Sequence, residues 1–306
     1  MKTCILFPGQ GAQSIGMGKD LYDGFASVRK LFEEASDASK IDLAALIFSG
    51  TEEDLKQTRN TQVALALVDS AAALCLRERG IAADGAAGFS LGEWAAMTEA
   101  GVVPFSEMIR LVAERGALMD EAGRRSGGSS MTAVLGLEPS AIEAALKSAG
   151  IDDAWIANYN APGQSVLSGT ELGLSKAEDA VKAAGAKRAI RLKVSGAFHS
   201  PIMRYAYDGF REILTDVVFA DPSKAFYSNV SGGRVSSGAE IKQLAAQQII
   251  SPVRWIDEEK AILADGWDRI VEAGPGSVLA GLWKSTGSPV IVSPAGTAEH
   301  IAALAV

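Results

Sequence analysis

Five residues, Gly88-Phe89-Ser90-Leu91-Gly92, constrain this chain more than any other stretch, because their flanks give them a place in a fold. Ahead of them the apolar run Ala86–Phe89 reads as a strand, and behind them Leu91–Ala100 reads as a helix. A serine on a sharp strand-to-helix turn is lifted clear of its sheet. The glycines leave room for the bent backbone, and the first turn of the helix offers free N–H groups to developing negative charge. The blander alternative is a serine that only caps a helix. No other Gly-x-Ser-x-Gly occurs in the chain.

A serine nucleophile needs a base, and the sequence has two histidines. His300 falls in a terminal helix, where fraying is the rule. His199 lies in the loop Gly196-Ala197-Phe198-His199-Ser200-Pro201 and is the base by elimination. Spacing singles out no acid to orient it, and an amide or backbone carbonyl could do the same work.

The helix over Phe105–Ala122 carries a further clue. Met108, Leu111, Val112, Leu118 and Met119 form one apolar stripe, and Arg115 falls within it. An inward guanidinium is costly unless it meets an anion. It either pairs with an internal carboxylate, snorkels outward, or grips a substrate carboxylate through two parallel hydrogen bonds. Phe7-Pro8-Gly9-Gln10-Gly11 follows a strand and invites comparison with a dinucleotide loop. The third glycine of that fingerprint is missing, since position 14 is Ser, which weakens an oxidoreductase reading. The loop could instead lend an oxyanion-hole N–H from Gln10, beside that of Leu91.

Strands and helices alternate up to the polar stretch Gly123–Ser130, read as a linker. There follow a strand (Met131–Leu137), a helix (Pro139–Ala149), two strands (Trp155–Asn158, Gln164–Ser168), a helix (Glu171–Ala184) and a strand (Lys187–Val194). This is the split order of a ferredoxin-like βαββαβ unit. The expected architecture is α/β: a large domain over 1–125 and 196–306, with a small domain over 126–195 inserted. With a formal net charge of −8, the chain lacks the cationic surplus of a nucleic-acid binder. No apolar run approaches the ~18 residues of a membrane span, and no signal-peptide pattern opens the chain, so a cytoplasmic protein is expected. Cys4 and Cys75 lie in apolar runs and read as core residues, too few for a metal cluster.

Taken in order, several blocks resemble the malonyl-CoA:acyl-carrier-protein transacylases of fatty-acid synthesis and the related acyltransferases of polyketide synthesis. They are Phe7–Gly11, Gly88–Glu93, Glu114-Arg115-Gly116, Asn158–Gln164, Gly196–Ser200, Gln248–Trp255 and Glu272–Gly276. The resemblance implies an α/β-hydrolase-like core, Ser90 as nucleophile and His199 as base. It further implies an oxyanion hole from the Gln10 and Leu91 N–H groups, with the Gln248 backbone carbonyl orienting His199. Arg115 would clamp the malonyl carboxylate, Phe198 would leave little space for an α-methyl branch, and Asn158 would help bind substrate. No cofactor or metal is implied; the partners are a coenzyme A thioester and an acyl carrier protein, and a monomer is usual. Two residues depart from the pattern: Phe89 stands where the family has His, and Val63 where it often has Pro.

The carrier is typically acidic, so docking is expected on Lys187 and Arg188, in a basic cluster with Arg191 and Lys193. The rivals are a transacylase for another extender unit, an acyl hydrolase on the same scaffold, and a non-catalytic carrier-binding module. Arg115 opposes the hydrolase, since simple acyl chains offer no carboxylate to grip.

Overall fold

The computed structural model describes residues 1–304. Ten strands occur among the described residues. β1 (Thr3–Phe7) and β2 (Gly85–Gly88) come first. β3 (Ser129–Leu135), β4 (Ala154–Ala161), β5 (Gln164–Thr170) and β6 (Arg188–Arg191) follow. β7 (Ala225–Ser228), β8 (Gly233–Val235), β9 (Arg269–Glu272) and β10 (Val292–Pro294) complete the set.

They form two sheets. The larger has the order β10-β9-β1-β2-β7-β8, parallel except for β8 at its edge. Both β1 and β2 are buried along their whole length, which is why they read as unbroken apolar or small-residue runs. Helix Gly92–Glu99 packs on β1 and β2, and the long Thr58–Glu78 packs in turn against it and against helix Phe105–Arg125; its apolar residues surround nearly all of its circumference and are correspondingly buried. The smaller sheet, order β4-β5-β3-β6, is antiparallel throughout, with helices Pro139–Ser148 and Glu171–Ala183 against it. This is an α/β fold, and the small sheet has the strand order of a ferredoxin-like unit.

Local departures from the sequence-based expectation have local causes. After β1 the helical stretch comes in two pieces, because Phe25, at φ −127° and ψ 120°, separates Lys19–Gly24 from Ala26–Ser39. The linker is shorter than Gly123–Ser130. Glu121 pairs with Arg124 and Arg125 across one helical turn, which carries helix Phe105–Arg125 onward, and Ser129 already belongs to β3. Of the expected large domain, residues 305 and 306 lie outside the described residues.

Candidate active site

The parallel strands deliver their C-terminal ends to one place. β1 leads into Pro8-Gly9-Gln10, β2 into Phe89-Ser90, and β7 into Asn229. Ser90 sits in the left-handed region at φ 52°. A Cβ on Gly92 would lie 2.1 Å from the Phe7 carbonyl oxygen, and one on Gly88 would lie 2.1 Å from the Gly92 carbonyl carbon. Neither position can hold a side chain while this turn persists.

Ser90 Oγ lies 2.8 Å from His199 Nε2, and His199 Nδ1 lies 2.8 Å from the Gln248 carbonyl oxygen. With Nδ1–H donating to that carbonyl, Nε2 presents its lone pair to the hydroxyl. Burial, and then the nearby Arg115 charge, press the imidazole pKa down to about 4 against the raising effect of the Gln248 carbonyl. The ring is therefore neutral at pH 7. Its loop is fastened to the small sheet, because Ser168 Oγ on β5 donates to the Phe198 carbonyl at 2.5 Å.

A cavity of about 280 Å³ opens over this pair. Gln10 and Leu91 line it, and among the described residues neither backbone N–H finds a backbone acceptor. Arg115 enters from helix Phe105–Arg125 with only 1 % of its surface exposed. No carboxylate pairs with it among the described residues. Its Nη1 donates to Gln62 Oε1 at 2.7 Å and its Nη2 to Gln248 Oε1 at 2.8 Å, while Nε has no partner. Two neutral amides hold the guanidinium in place and leave its charge available. Burial lowers its pKa to about 10, so it stays cationic.

Phe198, Met119, Met131 and Val166 make much of the remaining wall apolar, and Asn158 and Asn160 add polar groups. Asn160 Oδ1 is buried and has no hydrogen-bond partner among the described residues. Phe89 lines the cavity and packs edge-on against Trp255, ring centroids 5.6 Å apart, so an aromatic contact occupies the place where the resembled family has an imidazole. Lys187 and Arg188 are exposed at the start of β6 and do not line the cavity. Arg191, counted in the same basic cluster, is paired with Glu171 and Glu178. His300 is exposed on helix Ala298–Leu304.

Three residues escaped the sequence reading as parts of the site: Gln62, Glu93 and Asn229. Glu93 closes the Gly88–Glu93 block and Gln62 stands beside Val63, but nothing in their spacing reveals a role. Asn229 had a signal, a polar amide at the C-terminal end of a strand beside the nucleophile strand.

Fold and site together place the chain in a class: it belongs to the acyl transferase domain family, whose model matches residues 4–302. Its relatives are narrower in kind. The malonyl CoA-acyl carrier protein transacylase of Bacillus subtilis is 39 % identical over 285 residues, covering 92 % of this chain and 90 % of the relative. The acyl carrier protein S-malonyltransferase of Vibrio cholerae superposes with a TM-score of 0.95 at 36 % identity, covering 99 % of this chain and 100 % of that one. A type II PKS acyl-carrier protein in complex with its malonyl-transacylase gives a TM-score of 0.93 at 36 % identity, covering 99 % and 98 %.

Proposed function

We propose that this chain moves a malonyl group from malonyl-CoA to the phosphopantetheine thiol of an acyl carrier protein, through a malonyl ester on Ser90. The observation that carries this reading is the buried, carboxylate-free guanidinium of Arg115 in the same cavity as the Ser90–His199 contact. His199 takes the proton of Ser90 as Oγ attacks the thioester carbonyl, and the N–H groups of Gln10 and Leu91 receive the oxyanion. Coenzyme A leaves as the thiol, with the proton returned by His199. The carrier thiol then attacks the ester by the same route in reverse.

Thioester, oxygen ester and thioester lie close in free energy. The site's task is therefore to exclude water and to hold the acid end of the acyl group. Arg115 performs the second task, and Phe198 narrows the space beside the α-carbon. The chemistry calls for no cofactor from this chain. We further assign residues 126–195 to a small domain that steadies the base loop, a cytoplasmic location, a monomeric state, and carrier docking near Lys187 and Arg188.

Intact-mass measurement tests the central claim. Malonyl-CoA should add one malonyl group to the protein, Ser90→Ala should show none, and added holo carrier protein should remove it. An adduct that persists in Ser90→Ala, or that passes only to water, overturns the reading.

A further inference from the structure

Beside the nucleophile lies a buried polar cluster that the reaction scheme above leaves unused. Glu93, in the first turn of helix Gly92–Glu99, is fully buried and does not line the cavity. Its Oε2 accepts two hydrogen bonds, from Gln248 Nε2 at 2.8 Å and from the Asn229 backbone N–H at 2.9 Å. Each donor leads directly to Ser90. Gln248 Nε2 also donates to the Ser90 carbonyl at 2.9 Å, and Asn229 Oδ1 accepts the Ser90 N–H at 2.6 Å. The elbow is thus gripped at both of its peptide groups. Asn229 Nδ2 completes the hold by donating to the Gly88 carbonyl and to Glu258 Oε1, each at 2.7 Å.

Gln248 is the hub. Its carbonyl faces His199 and its Oε1 faces Arg115. A guanidinium only donates, so the Gln248 amide must turn its oxygen toward Arg115 and its nitrogen the other way. That nitrogen then needs acceptors in a buried setting, or the amide loses its reason to hold this orientation. Three oxygens face the nitrogen: Glu93 Oε2 at 2.8 Å, the Ser90 carbonyl at 2.9 Å and Asn229 Oδ1 at 3.2 Å; Glu93 is the nearest and, when ionised, carries no donor of its own.

We propose that Glu93 is a positioning residue for acyl transfer: through one oxygen it fixes the Gln248 amide and the Asn229 backbone, and so ties carboxylate clamp, base and nucleophile elbow into one unit. The proposal rests on the roles given above to Ser90, His199 and Arg115.

Three variants test it. Glu93→Gln can keep an acceptor oxygen where Oε2 stands and turn its NH2 to the Oε1 side, where the Ser228 hydroxyl is the neighbouring polar group. Glu93→Ala removes the acceptor, and Glu93→Asp keeps the charge but withdraws the oxygens by one methylene. Folding is checked by circular dichroism, and acylation is followed by rapid-quench intact mass with malonyl-CoA and acetyl-CoA in parallel.

Glu93→Ala should slow malonyl loading about 100-fold and narrow the malonyl-over-acetyl preference about tenfold, while Glu93→Gln stays within about fivefold of the parent on both counts. Wild-type rates and preference in Glu93→Ala overturn the proposal, as does a Gln variant no better than Ala. Should the Ala protein not fold, the ranking of the other two decides: Gln faster than Asp supports alignment, and Asp equal or faster overturns it. A wild-type protein that forms no malonyl adduct fails at the earlier reading instead, and the two failures are told apart in the same assay.

Discussion

A guanidinium held by two amides is an expensive arrangement, since burial removes its water and, among the described residues, no carboxylate contacts it; Glu93 acts on it only from a distance. A substrate carboxylate offsets it, and Arg115→Ala should therefore lower kcat/KM for malonyl-CoA about 100-fold or more while leaving acetyl-CoA loading within about threefold. Competition between the two thioesters, read by mass, checks this; an unchanged preference removes the clamp. Arg115→Lys should rescue little, because one ammonium lacks the planar fork that meets Gln62 and Gln248 together. The same charge sets the base. His199 is pressed down to about 4, first by burial and then by Arg115, and the deprotonated imidazole is the active form. Malonyl loading, measured as kcat/KM, should therefore hold its plateau down to about pH 5, rather than falling with a midpoint near 6.5. In the malonyl-bound enzyme the carboxylate screens Arg115, which moves the acid limb of kcat to higher pH. Coincident limbs for kcat and kcat/KM would separate His199 from the Arg115 charge.

The elbow is an element whose shape depends on absent side chains. An alanine methyl at position 92 would meet the Phe7 carbonyl oxygen, a backbone atom inside the central sheet with no freedom to yield. Gly92→Ala should cost about 3 kcal/mol or more in denaturant unfolding and abolish acyl loading; a stable variant that still loads would show that the turn tolerates bulk. This part of the molecule was legible in sequence, because a strand, a Gly-x-Ser-x-Gly turn and a helix lie within one short stretch. Arg115 was legible too, as a charge set in an apolar helical stripe. The elements that escaped notice are short: strands β8 and β10 have three residues each, and helix Val278–Trp283 has six. Such pieces are held by their neighbours rather than by a pattern of their own. The contacts of Gln62 and Glu93 were hidden for a related reason. Gln62 reaches Arg115 across 53 positions and Glu93 reaches Gln248 across 155, so only the fold brings the partners together.

Across the whole molecule, the two sheets complete the site between them. The parallel sheet carries Ser90 and Asn229, while β5 anchors the base loop through Ser168, and β4 meets the segment after Gln248 where Tyr159 N–H donates to the Val253 carbonyl. Assembling polar groups this deeply leaves an imprint on stability. Burial raises the carboxyl pKa of Glu93 to about 7 and of Glu259 to about 8, and raises those of Asp69, Glu258 and Glu272 as well. A carboxyl with a raised folded pKa holds its proton more tightly in the native state. Its contribution is full below the unfolded value near 4.5 and is lost as pH rises through the folded value. His199 has the opposite sign, its lowered pKa favouring unfolding as pH falls from 6.5 toward 4. Five carboxyls oppose one imidazole, so stability should decline from pH 5 to pH 8. Below pH 4.5 the surface pairs take over: Glu52 beside Lys56 and Glu121 beside Arg124 have lowered values, and their stabilisation is lost on acidification. The thermal midpoint should therefore peak near pH 5 and fall by roughly 5 °C or more by pH 8, as followed by calorimetry at constant ionic strength. A midpoint that climbs steadily to pH 8 would mean that these acids are ionised in the native protein, with the cost of burying them met by contacts other than the hydrogen bonds described above.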